Sequence, residues 1–153
     1  MSITHTEATE APCSRCKITW SLLTLRIGIA IVFMMWTIDK FLNPAHASAV
    51  FATFYKVPDI SAGIAVGIGI LQLTLVIAFT LGLYRTYTYG AVLVMHTIST
   101  IVSYPRYLDP WAGSNLLFFA AFPMLAACIV LWVLRSQDTY SLDGRRLPSY
   151  SDA

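Results

Sequence analysis

The chemical candidates in this sequence are polar side chains set within long apolar runs. His96 stands near the middle of one run, and Gln72 stands in the run before it. Each lies about 11 residues from the short link Tyr84–Arg85, which at ~1.5 Å per helical residue places both about 16 Å from one end. An imidazole and a carboxamide level with each other on neighbouring antiparallel helices have two main readings. They bond to each other and fix helix packing, or they face a cavity and donate to a quinone carbonyl. A haem or metal role for His96 lacks a second ligand in this chain. His96, Ser99, Thr100 and Ser103 follow helical spacing and share one face. Such a stripe either bonds back to its own preceding turn or lines a path for protons or a headgroup.

The cations come next. Arg26 lies inside the first apolar run. Its long side chain either snorkels to the interface or turns inward to hold an anion, a quinone oxygen or a partner carboxylate. Lys40 shares its face at the far end of that run. Asp39, Lys40 and His46 either hold the mouth of a cavity or form a wet flank. Cys13-Ser14-Arg15-Cys16 supplies two thiols, and a closed zinc site needs four ligands. A partner chain or His5 would have to complete it; otherwise the segment is a plain tail, and no metal is expected. Cys128 reads as core filler. No phosphate loop, dinucleotide fingerprint or nucleophile elbow is present. No catalytic residue can be assigned. The acidic residues all lie outside the apolar runs, so carboxylate chemistry within a membrane is not expected.

The elements that must position these groups follow from composition. The chain has 153 residues, 57% of them hydrophobic and 12% charged, with a net charge of +2. A soluble domain is about one-quarter charged. Half that charge points to an integral membrane protein and excludes disorder and a coiled-coil rod. Nucleic-acid binding is not expected, because no basic cluster is present. A membrane-crossing helix needs about 20 apolar residues. Stretches 18–38, 60–83, 86–104 and 114–134 are predicted to meet that need. The first is too long for a cleaved signal. The fold expected is all-α: a membrane-spanning antiparallel four-helix bundle, 18–135, between polar tails 1–17 and 136–153. Residues 45–55 are predicted to form a short amphipathic surface helix between helices one and two, lying over the mouth. Pro123 predicts a kink in helix four. Gly63, Gly67 and Gly69 mark a packing surface on helix two. Six Lys and Arg (Arg15, Lys17, Arg85, Arg135, Arg145, Arg146) flank one side and three (Lys40, Lys56, Arg106) the other. This favours both termini in the cytoplasm, in the cell (inner) membrane.

Several short motifs, in order and at matching helix positions, resemble the DoxX/DoxD-like membrane proteins. They are Leu25-Arg26-Ile27-Gly28, Asp39-Lys40-Phe41-Leu42-Asn43-Pro44, Gly82-Leu83-Tyr84-Arg85, His96, Asn115 and Ser141-Leu142-Asp143. The resemblance spans about 25–146. It implies a four-helix bundle akin to the small subunit of thiosulfate:quinone oxidoreductase. It further implies that Arg26, Gln72 and His96 face a quinone, with Lys40 and Asn115 nearer the outer mouth. Electrons would come from another membrane subunit. The family often carries Glu near Gln72, and an amide cannot relay a proton. The competing expectation is a non-catalytic accessory subunit that packs against partner helices and lipid.

Overall fold

A computed structural model describes residues 11–58 and 60–146. Helix α1 (Ala11–Leu42) is longer at both ends than the sequence suggests. Asp39 and Lys40 are charged, but neither breaks a helix. The chain stops only at Asn43, whose backbone is turned out of the helical region ahead of Pro44. Helix α2 (Pro44–Val50) follows and continues as one wide π turn to Tyr55. Together they match the expected surface helix, and Lys56 ends it in the left-handed region at φ 57°.

Helix α3 (Ala62–Leu81) starts where the Ser61 hydroxyl accepts from the Ile64 amide, 3.4 Å away. It ends at Gly82, left-handed at φ 68°. Tyr84, at φ 47°, completes the reversal into α4 (Arg85–Val102). A short α5 (Tyr104–Leu108) precedes a 3-10 turn over Asn115–Ala120, which leads into α6 (Ala121–Val133). The expected mid-helix kink is thus a change of helix type. Pro123 falls in the first turn of α6, where a missing N–H is tolerated. Helix α7 (Leu142–Arg146) closes the described chain.

Helix α1 packs on α3 and α6, and α4 packs on the same two. Leu22, Ile29, Phe33, Val76, Phe79 and Leu131 fill the space between them. Other large apolar side chains point outward, among them Ile31, Met35, Leu71, Leu117 and Val133. So much outward apolar surface is unfavourable in water and suits lipid. The helices spanning Cys16–Leu42, Ala62–Leu81 and Asn115–Val133 are long and apolar enough to cross a membrane. The described residues form helices and turns without a strand, and three such helices suggest a membrane protein. Helix α4 is not among those three, because Arg85, His96 and its hydroxyl residues dilute its apolar content.

The three glycines of α3 separate in role. A Cβ on Gly69 would meet the Phe41 ring at 3.1 Å and Lys40 Cβ at 3.3 Å, so α1 and α3 touch there. Gly63 and Gly67 face open space. Gly69→Leu is therefore expected to cost about 1–3 kcal/mol by overpacking. Gly67→Ala is expected to be neutral or stabilising by up to about 1 kcal/mol, since alanine is the better helix former. Thermal unfolding in detergent reads both. Equal effects would place the close contact elsewhere.

Candidate functional site

Two polar features lie inside this apolar frame. The first is a buried cluster around Arg26, which turns inward. Its Nη1 donates to Asp138 Oδ2 at 2.6 Å and to the Tyr89 hydroxyl at 2.9 Å. Tyr89 in turn donates to the same carboxylate oxygen at 2.7 Å. Arg26 Nη2 donates to the Tyr140 carbonyl. Arg26 and Asp138 are 2% and 0% exposed, so the charges neutralise each other away from solvent.

Asp138 lies outside the long apolar helices, as expected, but its segment is not a free polar tail: residues 135–146 fold back onto the end of the helices. Arg85 fixes them, since its Nη1 donates to the carbonyls of Arg135 and Asp138. Its amide donates to the Asp143 carboxylate at 3.0 Å. Ser141 is fully buried and donates to the Asp138 carbonyl at 2.6 Å. The driving force is plain: an arginine in an apolar helix needs an anion. The Ser141-Leu142-Asp143 motif supplies the fold that delivers one.

The second feature is an apolar cleft of about 560 Å³ between α1, α4 and α6, with Tyr107 of α5 in its lining. That volume lies in the range of about 300–1,000 Å³ typical of small-molecule sites. Helix α1 lines it from Thr24 to Trp36, a length of about 18 Å at ~1.5 Å per residue. Thr24, His96, Ser99, Ser103 and Tyr107 are the polar residues of its lining.

His96 is 2% exposed. Its Nε2 lies 3.0 Å from the Ala121 carbonyl oxygen. That oxygen can only accept, so Nε2 carries the hydrogen. Nδ1 is buried and has no partner, and the same holds for the Tyr107 hydroxyl. The Phe33 and Trp36 rings flank the imidazole, with centroids at 6.3 and 6.4 Å. Burial pushes the Tyr107 phenol up, so it remains a hydrogen-bond donor at neutral pH. Phe118 lines the cleft and meets Phe54 of the surface helix at 5.8 Å. The Arg106 guanidinium lies over both rings, at 5.5 and 5.9 Å. The surface helix therefore packs against one wall of the cleft.

Of the five residues singled out for a ligand, the structure places His96 in the cleft and the other four elsewhere. Gln72 does not bond to His96; its amide donates across to the Phe33 carbonyl at 3.4 Å, tying α3 to α1. Asn115 donates to the Asp109 carbonyl at 2.9 Å and accepts from Arg106. Lys40 donates to the carbonyl of Trp36, one turn back on its own helix. Asp39 and His46 pair at 2.7 Å on the wet flank. In the serine-threonine stripe, Thr100 and Ser103 donate to carbonyls one turn earlier. Tyr107 and Trp36 were missed as site residues. Tyr107 sits in a loop by sequence, and Trp36 reads as an interface anchor.

The Cys13 side chain and His5 lie outside the described residues; Cys16 is exposed. No three His, Cys, Asp or Glu among the described residues group as metal ligands do. Comparison with known proteins finds no matching family model, no similar curated protein and no similar solved structure.

Proposed function

We propose that this chain is a small integral subunit of a membrane-bound redox complex, and that its cleft binds a quinone-class molecule. It would span the membrane as an antiparallel four-helix bundle, with α4 as the polar fourth member and both termini on the cytoplasmic face of the cell membrane. One observation carries the reading: a buried ring nitrogen of His96 without a partner, in an apolar cleft of about 560 Å³. Aromatic walls and a few polar atoms suit a planar ring with oxygen substituents. The likeness to DoxX/DoxD-like proteins supports the same class. Electrons would come from a partner, because the sequence has no cofactor motif of its own. Arg26, Gln72 and Asn115 act here by holding the helices and loops that shape the cleft, and Lys40 bonds within its own helix.

The test is gentle purification from the native membrane, followed by solvent extraction and mass identification of bound quinones and co-purifying chains. The expected result is a quinone-class molecule with the wild type, its loss in His96→Leu and its retention in Gln72→Leu. A chain that emerges alone, with an empty extract, would remove the proposal.

A second reading has its own support. The 3-10 turn exposes Leu116 and Leu117, and α6 after it exposes Phe122, Ile129 and Val133. Such a face fits an accessory subunit packed on a partner helix as well as it fits lipid. An extract with partner chains and no quinone would favour it.

A further inference from the structure

Resting on that quinone-class reading, we infer that the Thr24–Val32 half of the cleft holds the ligand's hydrocarbon tail, so that the site takes a long-tailed, lipid-borne quinone, admitted sideways from the bilayer across Gly28. The two ends of the cleft differ in kind. At one, Trp36, His96, Tyr107 and Phe118 supply rings. Toward the other, Leu25, Gly28, Ile29 and Val32 share one face of α1 and supply aliphatic surface, with Met124 of α6 in the same lining. This half runs about 12 Å at ~1.5 Å per residue. Thr24 is its polar residue on α1, and that hydroxyl donates to the Trp20 carbonyl at 3.0 Å. A polar group placed there would lose its solvent partners without replacement. A hydrocarbon chain has none to lose.

The cleft is open along one side. Thr24 and Gly28 on α1, and Leu117 and Ala120 on the 3-10 turn, are exposed, whereas Ile29 and His96 are 3% and 2% exposed. The open residues lie within the apolar lengths Cys16–Leu42 and Asn115–Val133. A side opening within membrane-crossing lengths faces lipid tails and not water. Gly28 leaves the space for a chain: a Cβ built there meets nothing within 4 Å, so a larger side chain would stand in the cleft without a clash. A lipid acyl chain has the same chemistry as a quinone tail. A tail joined to a ring already seated beside Trp36 competes at a far higher local concentration.

The test uses the purified full-length chain in phosphatidylcholine–phosphatidylglycerol nanodiscs, with ligand concentrations expressed per lipid. Decylubiquinone is expected to bind Gly28→Leu about tenfold more weakly than wild type, the scale of overpacking in a filled site. Its tail-less parent ring is expected to bind the two proteins within about twofold of each other, or neither. Gly67→Leu puts the same side chain on another open glycine, outside the cleft lining, and is expected to bind decylubiquinone as wild type does. A second readout needs no variant. Decylubiquinone carrying a diazirine at the end of its tail is expected to label residues 24–29 or 124–127 of the wild type, and excess plain decylubiquinone to remove the label. Unchanged decylubiquinone binding in Gly28→Leu, equal losses for the tailed and tail-less ligands, an equal loss in Gly67→Leu, a label outside those residues, or one that persists under competition overturns the inference and leaves the quinone-class reading in place. Failure of decylubiquinone to bind the wild type overturns the two together.

Discussion

Asp138→Ala is expected to cost about 3–5 kcal/mol of stability, because it leaves the Arg26 charge buried without its partner. Arg26 is 2% exposed and cannot reach solvent without moving α1 or the segment above it. Tyr89 would also lose the acceptor of its 2.7 Å hydrogen bond. Arg26→Met should be similarly damaging, since it strands a carboxylate that is 0% exposed. The double variant Arg26→Met with Asp138→Leu should be far milder than the sum of the two, because it removes both charges at once. Denaturant unfolding in detergent micelles, run as a double-mutant cycle, measures this coupling. Additive losses would mean that the 2.6 Å contact contributes nothing specific.

Gly82→Ala is expected to reach a comparable loss, about 3 kcal/mol or more, by a separate route. At φ 68° any Cβ is disfavoured, and this one would stand 2.3 Å from Ser141 Cβ and 2.7 Å from Arg26 Nη1. Both neighbours belong to the buried cluster and cannot withdraw freely. Gly113 is the control, since it is also left-handed at φ 55° but has nothing within 4 Å of the new atom. Gly113→Ala should therefore show the backbone cost alone, about 1–2 kcal/mol. Tryptic cleavage after Arg135 and Arg145 gives an independent readout. It should accelerate in Gly82→Ala and stay unchanged in Gly113→Ala. Matching behaviour of the two variants would reduce Gly82 to a simple turn residue.

The helices were legible because apolar run length is a strong local signal: stretches 60–83 and 86–104 lie close to α3 and α4, whereas α1 starts well before residue 18 and α6 only at Ala121. The ends themselves were not. Charge at Asp39 was read as an end, but only the residue before Pro44 could stop α1. His96 stood out because an imidazole inside an apolar run is costly, and the structure buries it. Its supposed partner was not legible, since equal depth on two helices says nothing about which way either side chain turns. Gln72 turns to α1 instead. The Arg26 partner was invisible for a different reason. Asp138 lies 112 residues away, in a segment whose local composition is that of an ordinary tail. Only the requirement that a buried cation find an anion could have pointed there. Tyr107 carried no signal at all, because its placement depends on how a Pro-containing loop folds under the cleft.

That separation of 112 residues has a bearing on how the protein is made. At a ribosomal pace of about 5–20 residues per second, Arg26 emerges on the order of ten seconds before Asp138 exists. An arginine within a spanning helix carries an insertion penalty of up to about 2.5–3.5 kcal/mol, its value at the helix centre. The nascent first helix must bear that penalty uncompensated through the whole of translation. The buried pair is thus completed only when the last stretch of the chain has been made, and a chain ending before residue 138 keeps its arginine without an anion.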